Sequence, residues 1–251
     1  MNFDIKIIKM KTNLSKVKVS IVMPCFNEDK TIREIVYRVL SQTYVSELIV
    51  IDDCSTDSSL EKLLSIKSKK LIILRNASNY GKGYSIIKGI SIAKGDIVGI
   101  QDADLEYSPE SYPNLIRPII ENKADVVYGT RFHVREATRL VYYWHYIANK
   151  FLTNLCNVFT NLNMSDMETG SKFFSKEAIS SVNLKERKFG IEPEITIKLA
   201  ARKLRFYEVP ISYDGRTYEE GKKISLRDGL YAIFAIFKYG FYVKFAKPYR
   251  R

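Results

Sequence analysis

Apolar runs that stop abruptly at carboxylates constrain this chain more than any other feature. Val17–Met23 is β-rich and ends at Pro24. Glu47–Ile51 runs into Asp52-Asp53, and Asp96–Ile100 runs through Gln101 into Asp102. Helix-patterned segments lie between. Thr31–Gln42 carries Ile32, Ile35, Val36, Val39 and Leu40 on one face, and Ser58–Ile66 and Gly83–Ala93 follow. Leu71–Leu74 and Ala124–Tyr128 add strands, with a helix over Pro109–Glu121. This alternation predicts an α/β fold, a mainly parallel sheet with helices on both faces. In such sheets ligands bind beyond the carboxyl ends of the strands, where these acidic residues fall.

After Arg131 the alternation stops. A long aromatic-rich helical stretch, Thr138–Leu162, precedes a helix near Ile191–Arg202 and a strand near Arg205–Ile211. The 251 residues read as an N-terminal extension (1–16), one α/β domain (17–229) and a basic aromatic C-terminal segment (230–251). Cys25, Cys54 and Cys156 are odd in number and lack metal-binding spacing, so no disulfide framework or zinc site is expected. No signal peptide and no run of about 20 apolar residues is visible, which predicts a cytoplasmic protein without a membrane span. The net charge is +12, and half of it lies from Arg216 onward. No nucleic-acid motif accompanies that charge, so nucleic acid is not expected as a partner.

Three motifs carry chemistry. In extended backbone, residues two apart face the same side, so Asp102 and Asp104 can address one cation, with Glu106 as a third ligand. Hard cations such as Mg²⁺ or Mn²⁺ take oxygen ligands and share sites with phosphates. Asp52-Asp53 at a strand end can accept bonds from a base or a ribose, although Asp53 or Thr56 can instead cap the following helix. Asn79-Tyr80-Gly81-Lys82-Gly83 opens a helix whose N-terminus favours anions.

In order, Val22-Met23-Pro24-Cys25-Phe26-Asn27-Glu28, Asp52-Asp53-Cys54-Ser55-Thr56-Asp57, Asn79-Tyr80-Gly81-Lys82-Gly83, Asp102-Ala103-Asp104-Leu105 and Gly129-Thr130-Arg131-Phe132 resemble the family 2 glycosyltransferases of GT-A fold. Within that family the chain resembles the dolichol-phosphate mannose synthase branch, as do Thr169-Gly170-Ser171-Lys172-Phe173-Phe174, Pro193-Glu194 and Val209-Pro210-Ile211. The resemblance implies that Pro24, Asn27, Glu28, Asp52, Asp53, Lys82 and Gly83 line the nucleotide pocket. It implies that Asp102 and Asp104 hold Mg²⁺ or Mn²⁺ on the diphosphate and that Arg131 faces the acceptor. It also implies that Arg216 and Lys222 close over the diphosphate. Cys54 stands where relatives commonly have Gly, which predicts φ below zero there. Glu106 stands where many relatives have Gln.

The expected reaction is inverting transfer from a GDP- or UDP-sugar to a polyprenyl phosphate, dolichyl or undecaprenyl. A hydroxyl acceptor, on a saccharide or protein, is the first rival and would need a base, Asp166 or Glu168. The second rival is a sugar nucleotidyltransferase. Leu230–Tyr249 holds eight Phe/Tyr among lysines, the composition of an interfacial helix, so peripheral contact at the cytoplasmic membrane face is expected. Tyr142, Tyr143, Trp144 and Tyr146 form a second aromatic cluster. Core packing or an oligomer contact is the alternative for both segments.

Overall fold

The β-branched runs become strands, and all but one of the seven point the same way. The fold is taken from a computed structural model that describes residues 17–133, 139, 142–217, 219 and 226–241. The strands are β1 (Val19–Cys25), β2 (Val45–Asp52), β3 (Leu71–Arg75), β4 (Ile97–Ile100), β5 (Val126–Thr130), β6 (Lys172–Ser175) and β7 (Phe206–Pro210). They form one sheet in the order β3-β2-β1-β4-β6-β5-β7. β1, β2, β3 and β4 pair in parallel, as do β5 and β7, while β6 runs antiparallel between β4 and β5. The mainly parallel sheet is as expected. The short reversed strand is not legible in the sequence, because four residues beginning with a lysine show no alternation. Lys172 pairs with Ile100 and with Tyr128, so β6 starts at the edge where β4 and β5 end.

Eight α-helices cover the two faces among the described residues: α1 (Ile32–Leu40), α2 (Ser59–Leu64), α3 (Lys82–Ile92), α4 (Tyr112–Ile120), α5 (Tyr143–Thr160), α6 (Lys176–Ser180), α7 (Ile191–Ala201) and α8 (Leu226–Gly240). Ile32, Ile35, Val36 and Val39 of α1 recur at one helical face and are fully buried against Met23 and Val50 of the sheet, with α2 and α4 on the same side. The opposite face carries α3, α5, α7 and α8, with Val22, Ile49 and Ile100 beneath them. Successive strand residues therefore feed opposite layers, as the pleat requires. Asn161, in the left-handed region at φ 55°, ends α5.

α7 is buried on nearly every side, so its charged residues must be paired. Glu194 accepts the backbone N–H of Glu186 at 2.7 Å, and Lys198 donates to the Asn183 carbonyl at 2.6 Å. Glu186 in turn accepts from Tyr231, Lys238 and Tyr239 of α8, at 2.5–2.7 Å. Ala232, Ala235, Ile236 and Tyr239 pack into the core beside it. The expected boundary between 229 and 230 thus falls inside α8, whose inner face belongs to the domain. Residues 1–16 and 242–251 lie outside the described residues.

The expectation for Cys54 is overturned. Its φ is +63°, in the left-handed region where a Cβ crowds the backbone. Its thiol reaches only the Ala77 carbonyl, at 3.9 Å. Cys54→Gly is expected to raise stability by about 0.5–1 kcal/mol, the relieved strain less the flexibility gained by the unfolded chain. Denaturant midpoints of the two proteins measure this, and a lower midpoint for glycine contradicts it.

Candidate functional site

The parallel strands deliver Pro24, Asp52, Asp102 and Thr130 to one edge of the sheet. Gln101, fully buried, shapes the loop after β4. Its amide donates to the carbonyls of Asp102 and Tyr107 at 3.1 and 3.2 Å, and Tyr112 donates to its carbonyl oxygen at 2.7 Å. The loop then folds so that Asp104 lies buried beside Glu106. Arg216, from beyond β7, enters this acidic ground. Its guanidinium lies 2.8 Å from Asp104 Oδ2, 3.1 Å from Glu28 Oε2 and 3.4 Å from Glu106 Oε1. Burial, with Asp102 and Glu106 adding like charge, pushes the Asp104 carboxyl up to about 7 despite Arg216. Glu106 also accepts from the Tyr213 hydroxyl and the Arg216 backbone N–H, both at 2.8 Å, so it anchors the 213–216 segment.

On the donor side the expected residues divide by role. Asp53 accepts from the backbone N–H groups of Tyr80 and Gly81 at 3.0 and 2.7 Å and from Asn76 at 2.7 Å. It therefore holds the glycine loop in place. Asp52 is enclosed, 3.4 Å from Arg75 Nε, and lies inside the protein rather than on an open surface. Asn27 exchanges bonds with Thr56 and takes a left-handed φ of 52°, which turns the chain toward Glu28. At Gly83 a Cβ would strike the backbone carbonyls of Glu186 and Lys188. Close packing accounts for this glycine without a ligand. Lys82 points the other way, 2.8 Å from Asp102 and 3.3 Å from Glu192. Lys222 lies outside the described residues.

Arg131 is held rather than free. Asp166, fully buried, accepts from its Nε at 2.7 Å, its Nη2 at 2.6 Å and its backbone N–H at 3.1 Å. The guanidinium also stacks 5.2 Å from the centre of the Tyr213 ring. Burial alone would raise the Asp166 carboxyl; Arg131 overrides it and holds the group below the ordinary carboxylate range. A carboxylate so engaged is a poor proton acceptor, so the structure removes Asp166 as a candidate base. Glu168 is different: burial and the charge of Glu192 push it up to about 7. Lys172, Glu192 and Gln101 were not assigned roles from the sequence. Lys172 and Glu192 form a buried pair 2.5 Å apart beneath Lys82. A charged residue inside an apolar helix, such as Glu192 in α7, was the signal available.

These residues fit a hard divalent cation in donor type. Asp102, Asp104, Glu106 and Glu28 present only oxygens, and their mutual repulsion calls for a positive charge. Arg216 and Lys82 supply that charge here. Among the described residues no three acidic, histidine or cysteine side chains converge as a preformed cage. A cavity of about 430 Å³ lined by Asp96, Asn122 and Asp125 lies at the opposite edge, away from every motif.

Residues 20–182 match the family model described as Glycosyl transferase family 2. A dolichol-phosphate mannosyltransferase of Pyrococcus furiosus is 28% identical over 211 residues, covering 82% of this chain and 59% of that protein. An undecaprenyl-phosphate 4-deoxy-4-formamido-L-arabinose transferase of Aeromonas hydrophila is 29% identical over 213 residues, covering 81% of this chain and 62% of that protein. The chain thus spans about three fifths of the length of these relatives. The fold is similar to that of glucosyl-3-phosphoglycerate synthase from Mycobacterium tuberculosis, solved with Mn²⁺, UDP and phosphoglyceric acid. The TM-score is 0.71 at 18% identity, covering 93% of this chain and 82% of that one.

Removing one partner of a buried ion pair leaves an uncompensated charge. Asp166→Asn is therefore expected to cost about 3–5 kcal/mol in denaturant unfolding. Because Asp166 titrates lower when folded, its contribution is complete at neutral pH. It is lost as pH falls below the ordinary carboxylate range toward the folded value. An unchanged midpoint at pH 7 contradicts the assignment.

Proposed function

The chain belongs to glycosyl transferase family 2, and on that premise we propose that it moves a sugar, with inversion, from a GDP- or UDP-sugar to a polyprenyl phosphate. The observation that carries this reading is the meeting of Glu28, Asp102, Asp104 and Glu106 with Arg216 and Lys82 at the carboxyl edge of the sheet. A nucleoside diphosphate leaving group needs positive charge, and an acidic cluster with two cationic side chains can assemble it. Mg²⁺ or Mn²⁺ held by Asp102 and Asp104, with Glu106 behind, would supply Lewis-acid charge to the diphosphate. Arg216 and Lys82, displaced from the carboxylates, would then turn to the phosphate oxygens. Asn27, Glu28 and the loop ordered by Asp53 would hold the nucleoside.

Arg131 would receive the acceptor phosphate with donors that Asp166 leaves unused. Asp166 fixes the plane of its guanidinium, so the fork is oriented before the acceptor arrives. A phosphate is already anionic at neutral pH and needs positioning rather than a base. The engagement of Asp166 supports the phosphate over the hydroxyl acceptor for that reason.

The apolar stripes on α5 and α8 support membrane contact. Trp144, Phe151 and Val158 recur at seven-residue spacing on α5, with Trp144 at 75% and Val158 at 79% exposure. Leu230, Phe234 and Phe237 recur along α8, Phe241 follows its last residue, and all four are exposed. The stripes meet where Phe159 packs edge-on to Phe237 and Phe241, at 5.5 and 6.0 Å. No described helix is long and apolar enough to cross a membrane. A surface of this kind suits the interface of an anionic leaflet on the cytoplasmic side.

Transfer of labelled sugar from a nucleotide-sugar panel to polyprenyl phosphate, compared with free saccharides, tests the reaction. Asp104→Asn is expected to fold and to lose at least about a hundredfold in rate, since charge stabilisation of the leaving group is removed. Near-wild-type turnover at limiting Mn²⁺ sinks the metal assignment. Flotation tests the surface. The full chain is expected to bind anionic liposomes at low salt and less at high salt, and Trp144→Glu with Phe234→Glu is expected to release it. Protein that stays in solution at low salt contradicts membrane contact.

A further inference from the structure

The segment Met164–Ser171 crosses the site edge between α5 and β6, and its backbone is pinned along its length. Asn157 binds Met164 at both N–H and C=O, Glu208 accepts from Ser165 and Asp166, and Thr153 accepts from Met167 at 3.1 Å. Tyr107 accepts from the Gly170 N–H at 2.9 Å. At Gly170 a Cβ would strike the Asp102 carboxylate, so this segment lies directly against the metal-side acid. Of the three acids here, the buried Asp166 and Glu192 have cationic partners: Asp166 has Arg131, and Glu192 has Lys172 and Lys82, while Glu168 is partly buried. Glu168 has none. Its Oε1 is enclosed and accepts no hydrogen bond.

A buried carboxyl oxygen without a partner is costly, and one that a native protein keeps calls for an explanation, a functional role among them. Among the described residues no side chain or backbone group donates a hydrogen bond to Glu168 Oε1. Its surroundings narrow what does. Glu168 feels the charges of Glu192 and Lys172, then of Arg131 and Lys82. Lys82 marks the donor side through Asp102, and Arg131 marks the acceptor side. The group in transit between leaving diphosphate and acceptor is the sugar itself. A phosphate oxygen would be repelled by Glu168 and Glu192 together, whereas a hydroxyl can donate to the enclosed oxygen.

We propose that Glu168 binds a hydroxyl group of the sugar being transferred and so sets which sugar the protein accepts. This rests on the placement of the donor at Asp102 and Lys82 and the acceptor at Arg131. The raised carboxyl, near 7, agrees with it, because such a group can both accept from and donate to a hydroxyl.

The test uses the full chain and begins with release of nucleoside diphosphate from a panel of GDP- and UDP-sugars. If the wild-type protein uses none, the glycosyl-transfer reading fails before Glu168 is examined. With the sugar that is used, its monodeoxy analogues are compared for wild type, Glu168→Gln and Glu168→Leu. Wild type is expected to lose roughly ten- to a hundredfold in kcat/KM on one analogue. The leucine variant is expected to lose that factor on the parent sugar and to stop distinguishing parent from analogue. Glutamine, which keeps the geometry, is expected to lose less. Its melting temperature should match or exceed that of wild type, since a buried unpartnered acid has been removed. Variants that discriminate among deoxy donors as wild type does overturn the proposal. So does an equal loss on every donor, which assigns Glu168 to proton transfer to a hydroxyl acceptor. If leucine fails to fold, the glutamine comparison decides alone.

Discussion

Four carboxylates crowd one end of this sheet, and the arrangement around them depends on how that crowding is offset. Asp102 and Asp104 arrive with β4, Glu28 follows β1, and Glu106 closes the loop. Left alone, such a cluster would protonate or spread. Arg216 spans three of the acids and Lys82 holds the fourth, both drawn from distant parts of the chain. The same crowding that burdens the folded state is what the proposed binding of a divalent cation and its phosphates would relieve. Strain of this kind is typical of sites whose balancing charge belongs to a ligand.

The second half of the site depends on one reversed strand. β6 separates β4 from β5 and begins at the edge where they end. That placement brings the 164–171 segment against Asp102, and brings Lys172 to Glu192 on α7. Two charge systems result, one of Lys82, Lys172 and Glu192, the other of Arg131 and Asp166. Each is internally paired. Glu168 lies between them; its Oε1, like Oε1 of Glu192, is enclosed without a hydrogen bond, but Glu192 has Lys82 3.3 Å away.

α8 shows how a single helix serves both the core and the surface. Glu186 gathers Tyr231, Lys238 and Tyr239, and the small residues Ala232 and Ala235 let the helix approach α7. The opposite face stays aromatic and exposed. A basic aromatic sequence is therefore compatible with core packing and interfacial contact at once, because the two roles use different faces. Reading that segment as either core or interface set two compatible uses against each other.

Periodicity in the sequence determined the layered, mainly parallel architecture, and the strand-end carboxylates determined where the candidate site lies on it. Local pattern reports which residues a strand or helix buries, and strand ends follow from it. The spacing of Asp102 and Asp104 was legible in the sequence, and the resemblance to the family drew attention to Lys82, Arg131 and Arg216, which the structure places at the same edge of the sheet. Only the tertiary structure decided that Asp53 organises a loop, that Asp52 is enclosed, and that Asp166 is held by Arg131 rather than free to take a proton. It also decided that Cys54 occupies a left-handed backbone and that β6 runs backward. Each of these depends on a neighbour remote in sequence: Arg131 is 35 residues from Asp166, and Arg216 is 112 from Asp104. A carboxylate's chemical role is set by the charge and burial around it, and those exist only once the chain has folded.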